Sequence, residues 1–328
     1  MLNSNILITG ASGYIGSCVY FFLKEKYKLH VVDKNKNHYF KVNQCDLLNK
    51  DKLNNLLSRL KPKLIIHLAA QSLVDETINK KKYYKNNVLA TKNLIELMKK
   101  NSINNIIFSS TAAVYKFKNK PLIESDKINP KSTYALTKHL CEKMLLKSKL
   151  NVVILRFFNV CSALKNPKLI GEFHNPETHL IPTATYKNIF KKKIYLYGDN
   201  YLTNDGTCIR DYVHISDICG ALDKSIKYMN NKIKINQIIN IGGSNKLTNL
   251  QIIRKIETIT KIKSNFIVVK KRPGDVATLS CSIKKAKKIL KWKPNKSNIN
   301  IIIKDELRWI KNLIATNKKR TFKSYLAK

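Results

Sequence analysis

The chain has 328 residues, 44% of them hydrophobic, which is enough for one large α/β domain or two unequal lobes. Its formal net charge is +41, but the lysines are spread from end to end, so we expect no nucleic acid partner as the main role. No apolar run approaches the roughly 18 residues of a membrane span, and no leader precedes the first strand, which predicts a cytoplasmic protein without membrane contact.

The first predicted element is a buried strand that begins near Asn5 and turns into a helix at a glycine-rich segment. Gly10, Gly13 and Gly16 follow this strand at three-residue spacing. A glycine at such a turn permits backbone conformations closed to other residues, and another lets the main chain approach a diphosphate at the helix N-terminus. Because glycine also marks ordinary turns, the pattern alone is a weak sign of dinucleotide binding.

The second predicted strand strengthens this interpretation, because it ends in Asp33. A dinucleotide fold needs an acidic residue about 20 residues after its glycine turn, where the carboxylate accepts hydrogen bonds from the adenosine ribose. The negative charge of Asp33 would also repel a ribose 2′-phosphate. We therefore predict NAD rather than NADP as the cofactor.

Strand-like and helix-like stretches alternate through the first half of the chain. After helical spacing at 53–60, the pattern predicts a strand at 64–70, a long helix containing Asn86 and Asn87, a strand at 106–108, a helix at 133–146 and a strand at 152–155. This alternation predicts an α/β fold with a Rossmann-type, doubly wound parallel sheet covered on both faces.

The second half of the chain is less regular. Residues 161–209 are rich in Asn, Pro, Gly and Asp, a composition typical of loops that build a substrate pocket. Residues from about 211 to 240 indicate a return to the sheet. We therefore predict an NAD-binding domain of 1–160 plus about 211–240, and a smaller C-terminal α/β lobe of about 161–210 plus 241–328 that binds the substrate.

Tyr134 and Lys138 lie four residues apart and hence on one face of a predicted helix. A nearby ammonium favours phenolate, so we expect the pKa of Tyr134 to fall from about 10 toward working pH. The same spacing recurs at Tyr20 and Lys24, as a lysine-rich chain produces by chance. What favours Tyr134 is Thr111, which follows a strand, because ligands of open parallel sheets bind beyond the strand ends.

The cysteines and histidines indicate no metal centre. Seven scattered cysteines include no Cys-x-x-Cys pair, which is typical of reduced, buried thiols rather than a disulfide or zinc framework. His174 and His179 are close together, but no cysteine or carboxylate near them has a convincing ligand spacing. We expect both histidines in a loop and no bound metal.

Five longer segments carry a resemblance to a known family. They are residues 83–88 (YYKNNV), 156–159 (RFFN), 176–182 (PETHLIP), 205–214 (DGTCIRDYVH) and 272–275 (RPGD). With the glycine turn and the Thr, Tyr and Lys residues above, the chain resembles the extended short-chain dehydrogenase/reductase superfamily and, within it, the UDP-glucose 4-epimerases, from about Ile6 to Trp292. The resemblance implies NAD-dependent interconversion of UDP-glucose and UDP-galactose through a 4-keto sugar.

The resemblance also implies roles for individual residues. The implied catalytic residues are Thr111, Tyr134 and Lys138. The implied cofactor contacts are Gly10, Gly13, Tyr14, Ile15, Gly16, Asp33, Asp46, Leu47, Leu68, Ala69, Ala70, Asn87, Ser109, Tyr134, Lys138 and Phe157. The implied UDP-sugar contacts are Thr111, Asn159, His179, Leu180, Tyr195, Tyr197, Arg210, Tyr212, Arg272, Asp275 and Leu279. Family members commonly dimerise through two helices, here near 86–99 and 133–146, so we expect a homodimer.

Some positions depart from the family pattern. The segment between Asp33 and Asp46 is shorter than usual, Lys116 replaces a glycine, and Ser72 stands where some members carry a cofactor-contacting lysine. Leu279 lies at the position that gates the sugar pocket, and its medium size is compatible with more than one sugar.

These departures leave two alternatives open. One is a 4-epimerase of another UDP-sugar, such as a UDP-N-acetylhexosamine, UDP-pentose or UDP-uronic acid. The other is a catalytically silent NAD-binding regulatory protein, which the intact catalytic set argues against. Nucleotide-sugar 4,6-dehydratases are disfavoured, because Ala112 and Ala113 after Thr111 can transfer no proton.

Overall fold

The computed structural model describes residues 5–72, 79–165, 168–172, 177–230, 234–272 and 274–316. His174, Pro176 and Pro273, which belong to segments discussed above, lie outside the described residues. Among the described helices, none combines the length and the apolar character needed to cross a membrane.

The described residues form strands of two to seven residues and helices of up to 18 residues. The strands are β1 (Asn5–Thr9), β2 (Lys28–Asp33), β3 (Asn43–Gln44), β4 (Leu64–His67), β5 (Asn105–Thr111), β6 (Asn151–Phe157), β7 (Asn159–Cys161), β8 (Ala163–Leu164), β9 (Ile170–Gly171), β10 (Ile194–Tyr197), β11 (Ile209–Arg210), β12 (Tyr212–His214), β13 (Asn236–Ile241), β14 (Leu247–Thr248), β15 (Phe266–Val269) and β16 (Thr278–Leu279). The α-helices are α1 (Tyr14–Leu23), α2 (Lys50–Leu60), α3 (Lys80–Tyr83), α4 (Ala90–Lys100), α5 (Thr133–Leu146), α6 (Leu180–Ile189), α7 (Ile215–Asn230), α8 (Asn249–Thr260), α9 (Lys284–Leu290) and α10 (Ile299–Thr316).

Seven strands form the central sheet in the order β13-β6-β5-β4-β1-β2-β3, and every neighbouring pair is parallel. The chain runs outward from β1 in one direction through β2 and β3, and in the other through β4, β5 and β6. The predicted doubly wound parallel sheet is therefore confirmed. Ligands of such sheets bind beyond the carboxyl ends of the strands where the direction reverses, here beside β1 and β4.

Helices cover both faces of the sheet because its strands are apolar on both sides. Successive residues of a strand point to opposite faces, and β1 follows this rule: Ile6 and Ile8 belong to one buried cluster and Leu7 to the other. The first cluster packs against α1 and α7, and the second against α2, α4 and α5. This arrangement leaves the strand ends, where the polar residues collect, as the accessible edge.

The rest of the described chain builds a smaller structure around α6, α8 and α10. Its buried cluster includes Ile181 of α6, Ile253 of α8 and Ile302 of α10. β10 and β15 pair in parallel beside it. The expectation of loops throughout 161–209 is wrong for α6 and β10, because their apolar residues, such as Ile194 and Leu196, are buried at regular spacing.

Candidate active site

The glycine turn forms the floor of a deep cleft at the carboxyl edge of the sheet. Gly10 has a φ of +72°, and a Cβ on it would lie 2.5 Å from the backbone nitrogen of Ala69, so no larger residue fits. A Cβ on Gly16 would lie 2.2 Å from the carbonyl oxygen of Gly10, so α1 packs directly on the turn. The cleft beyond has a volume of about 730 Å³.

Most of the predicted cofactor residues line this one cleft. They are Gly10, Gly13, Tyr14, Ile15, Gly16, Asp33, Asp46, Leu47, Leu68, Ala69, Ala70, Ser109, Tyr134, Lys138 and Phe157. Thr111, Asn159, His179 and Leu279 from the predicted catalytic and substrate sets line it as well. The sheet thus brings residues from distant parts of the chain to one wall.

Asp33 is held in a fixed orientation at one end of the cleft. Its carboxylate accepts hydrogen bonds from the backbone nitrogens of Ser12 at 3.0 Å and Asn35 at 2.8 Å. The bond to Ser12 ties the end of β2 to the glycine turn. In a dinucleotide site, backbone N–H groups of a glycine turn donate to the diphosphate and a nearby carboxylate accepts from the adenosine ribose. These residues therefore fit NAD.

Asn87 is the exception among the predicted cofactor residues, because its side chain is buried behind the cleft wall. Its amide oxygen accepts from the Gln71 nitrogen at 2.7 Å, and its amide nitrogen donates to Thr137 at 3.0 Å. Residues Tyr84–Leu89 form a π-helical turn between α3 and α4, and this turn places Asn86 rather than Asn87 on the cleft. Asn87 therefore holds other residues in place.

Thr111 and Tyr134 lie next to each other in the cleft lining and share a hydrogen bond. Thr111 ends β5, and Tyr134 lies in the first turn of α5, whose N-terminus is capped by Ser132. Burial raises the pKa of Tyr134 to about 12, and a hydrogen bond with Thr111 opposes that rise. The predicted lowering of the Tyr134 pKa is therefore wrong: burial of the phenol is the largest effect, and it raises the pKa.

Lys138 lies one turn beyond Tyr134 on α5 and is buried. Its ammonium nitrogen stands 4.1 Å from the centre of the Phe108 ring. Burial lowers the pKa of Lys138 to about 8, while the nearby Cys141 and Glu142 side chains oppose the shift. The side chain is thus close to losing its proton at working pH.

The remaining predicted substrate residues form a separate group outside the cleft lining. Arg210 donates to Asp275 at 3.0 Å and to the carbonyl oxygen of Val276 at 2.8 Å. The Arg272 guanidinium lies 3.8 Å from the centre of the Tyr197 ring. Tyr212 is buried, Tyr195 is 41% exposed, and Leu180 begins α6. Two arginines with one acidic partner leave positive charge available for phosphate oxygens.

Comparison with known proteins identifies the family. Residues 6–242 match the model of the NAD dependent epimerase/dehydratase family. The chain belongs to this family. The UDP-glucose 4-epimerase of Rhizobium meliloti (strain 1021) is 34% identical to it over 308 residues, which cover 90% of this chain and 93% of the relative.

The fold of this epimerase/dehydratase family member is also similar to the folds of two solved structures. One UDP-glucose 4-epimerase has 35% sequence identity and a TM-score of 0.87, with 96% of this chain and 99% of that chain covered. The UDP-glucose 4-epimerase from Brucella ovis in complex with NAD has 30% identity and a TM-score of 0.86, with 92% and 97% covered. The resemblance predicted from the sequence segments is confirmed.

Sequence reasoning missed how this family member holds His179. Its Nδ1 lies 2.8 Å from Glu177 and 3.2 Å from Glu172, two carboxylates that are themselves buried. The charge of Glu172, with help from Glu177, raises the pKa of His179 to about 9 against the effect of burial. The ligand atoms of the three side chains lie within 4.8 Å of one another. The spacing of these residues in the sequence does not mark Glu172 and Glu177 as partners of His179.

Proposed function

We propose that this chain interconverts UDP-glucose and UDP-galactose as an NAD-dependent 4-epimerase. The observation that carries the proposal is the convergence of Thr111, Tyr134 and Lys138 on the wall of the cleft that the glycine turn and Asp33 also line. The likeness to UDP-glucose 4-epimerases over more than nine-tenths of the chain supports it. NAD bound there would supply the acceptor for hydride from sugar C4 and the donor that returns it to the opposite face of the 4-keto sugar.

The chain's own residues would bind and orient this cofactor. Gly10, Gly13 and the backbone at the start of α1 would receive the diphosphate, because helix N-terminal N–H groups favour negative charge. Asp33 would accept hydrogen bonds from the adenosine ribose, since Ser12 and Asn35 already fix its carboxylate. Lys138, buried against the Phe108 ring, would position the nicotinamide ribose.

Proton transfer falls to Thr111 and Tyr134. The Tyr134 hydroxyl would hold the proton exchanged with the sugar O4, and Thr111 would orient it through the hydrogen bond that the two share. The ammonium of Lys138, one turn away, favours the phenolate form when Tyr134 gives up its proton. Because the sugar is first oxidised and then reduced at the same carbon, no net redox change results.

The group around Arg210 and Arg272 would bind the nucleotide part of the substrate. Guanidinium groups bind phosphate oxygens in a bidentate manner, which suits the diphosphate of a UDP-sugar. Asp275, now bonded to Arg210, would reach the uridine ribose. Leu180 and the segment with Tyr195 and Tyr197 would flank the uracil, while Asn159, His179, Tyr212 and Leu279 would surround the diphosphate and the sugar.

The homodimer is also a proposal, and exposed apolar residues support it. Tyr84, Leu89 and Leu136 are 56%, 38% and 47% exposed, and they lie on the helical segment 80–100 and on α5. Apolar groups clustered on two neighbouring helices mark an interaction surface. We also propose a cytoplasmic location, because all seven cysteines are free and buried, as expected for reduced thiols.

The test is to incubate the purified protein with UDP-glucose and to separate the products. We expect UDP-galactose to appear and absorbance of reduced nicotinamide to rise transiently. A panel with UDP-N-acetylglucosamine, UDP-xylose and UDP-glucuronate tests the alternative substrates. No turnover of any UDP-sugar would contradict the proposal and favour a silent NAD-binding protein.

A further inference from the structure

A buried ion pair joins α5, which carries Tyr134 and Lys138, to β6. Arg156 donates to Glu142 twice, from Nε to Oε1 at 2.9 Å and from Nη2 to Oε2 at 2.6 Å. The two residues are only 2% and 1% exposed. Apolar residues of similar volume often stabilise a protein as well as a buried ion pair does, so stability alone is a weak reason for this pair.

Glu142 connects the pair to the catalytic residues. It lies on α5, four residues after Lys138 and eight after Tyr134, so the three share one face of the helix. Its Oε1 also accepts from the Ser110 hydroxyl at 2.5 Å. Ser110 directly precedes Thr111, so one carboxylate joins the strand end that carries Thr111 to the helix that carries the other two catalytic residues.

Arg156 links Glu142 to neighbouring strands of the sheet. Ser110 of β5, Arg156 of β6 and Asn240 of β13 are register partners, side by side in the sheet. The Arg156 guanidinium lies 4.6 Å from the centre of the Tyr115 ring, whose hydroxyl donates to Asn240 at 2.7 Å. The network therefore reaches β13, the strand beside β6 in the central sheet.

We propose that Glu142 and Arg156 are positioning residues for the reaction, which set the separation between Thr111 on β5 and the Tyr134 and Lys138 side chains on α5. This inference rests on the proposed epimerase function. The atoms that must meet at the sugar O4 come from two different elements, and the ion pair with Ser110 is a direct polar link between those elements. A displacement of about 1 Å between reacting groups is enough to cost a hundredfold in rate.

The Glu142 carboxylate also acts on Lys138 through its charge. The titratable groups that interact with the Lys138 ammonium are His67 from β4 and Cys141 and Glu142 from α5. Burial keeps His67 neutral, because it lowers the His67 pKa to about 3. Glu142 is thus the fixed negative charge that favours the protonated form of Lys138.

Three variants separate positioning from stability. Ser110→Ala removes the link to the strand and leaves no buried charge unpaired. Glu142→Met with Arg156→Met replaces both charges by apolar groups. Glu142→Gln keeps the shape but removes the charge. Asp217→Asn is the control, because Asp217 is another buried carboxylate, whose bonds go to Asn295, Lys296 and Ser297.

The measurements are Tm, kcat, KM for UDP-glucose and the pH dependence of kcat. We expect Ser110→Ala and the double variant to lose about tenfold to a hundredfold in kcat with little change in KM, while the double variant keeps a Tm near that of the wild type. In Glu142→Gln the alkaline limb of kcat should move to lower pH. Asp217→Asn should lower Tm and leave kcat unchanged.

A double variant with wild-type kcat and Tm would overturn the inference, because apolar side chains could then replace the ion pair without loss of activity. If the double variant fails to fold, Ser110→Ala decides, and an unchanged kcat there would overturn the inference. If the wild type turns over no UDP-sugar, the proposed function fails by itself. Crystal structures of the wild type and Ser110→Ala then test positioning directly, through the separation of the Thr111 and Tyr134 side-chain oxygens.

Discussion

The sheet side of the site and the predicted substrate residues differ in how their functional side chains are held. On the sheet side, strand register determines most of these positions. Thr9 and His67 are register partners, and Thr111 lies at the end of β5 beside Phe157. Among the predicted substrate residues, side chains hold each other, as Arg210 does with Asp275 and His179 with its two glutamates. Positions set by strands follow from local sequence, whereas positions set by side-chain partners depend on contacts distant in the chain.

The largest expected effect is that of Tyr134→Phe on the sheet side. The change removes only the transferable proton, so kcat should fall by about 10²-fold to 10⁴-fold with Tm nearly unchanged. Tyr20→Phe is the control, because Tyr20 also precedes a lysine by four residues but stacks on Phe40, with ring centres 4.1 Å apart. Tyr134→Phe with most of its activity retained would remove the phenol from the mechanism.

The next largest effect should come from Arg210→Lys in the substrate group outside the cleft lining. A lysine keeps the charge but cannot bind Asp275 and a phosphate through a planar fork. We expect KM for UDP-glucose to rise about tenfold, with kcat changed less. Arg254→Lys, at an exposed ion pair with Glu257, is the matched control and should leave both constants unchanged. Equal KM values for the Arg210 variant and the wild type would place the diphosphate elsewhere.

A smaller and more selective effect is expected for Asp33→Ala. Loss of the ribose contact should weaken NAD binding by roughly tenfold, and loss of the negative charge should bring the Kd values for NAD and NADP closer together. Both can be measured by calorimetric titration. Asp51→Ala, at the start of α2, is the control. Unchanged affinity for both dinucleotides would contradict the ribose role of Asp33.

The smallest expected effect concerns the stability contributed by His179. The pKa of His179 is about 9 in the folded chain, above its ordinary value of 6.5, because Glu172 and Glu177 favour the charged ring. The contribution of this ring is therefore complete below about pH 6.5 and disappears as pH rises through 9. Denaturant unfolding of the wild type and His179→Asn should show a stability difference that shrinks over that range. A difference independent of pH would show that the two carboxylates do not hold the ring charged.

The sequence predicts the sheet side well because its signals are local. Helix α5 has the bounds that its apolar spacing predicts, and the glycine turn and Asp33 lie where their spacing places them. β4 ends at His67, three residues before the predicted end, because the next residues leave the sheet to line the cleft. The π-helical turn at Tyr84–Leu89 was not predicted, since its extra residue leaves no mark on apolar spacing.

Features that depend on burial were harder to predict. The sequence shows Lys138 near Tyr134, but not that burial raises the pKa of the phenol to about 12. It shows Arg156 in a family motif, but not that Glu142 is its partner, since nothing in the local pattern marks an acid on the buried face of α5. Such effects depend on how much water reaches a side chain, and the complete fold determines that.

The position of β13 has a consequence for synthesis on the ribosome. This strand completes one side of the main sheet by pairing with β6, yet some 80 residues separate the two strands in the chain. Until Ile241 has left the exit tunnel, the emerging polypeptide presents β6 as an open edge, ready to join a strand from another nascent molecule. Slow translation between residues 157 and 236 would therefore lengthen the period in which chaperones must protect that edge.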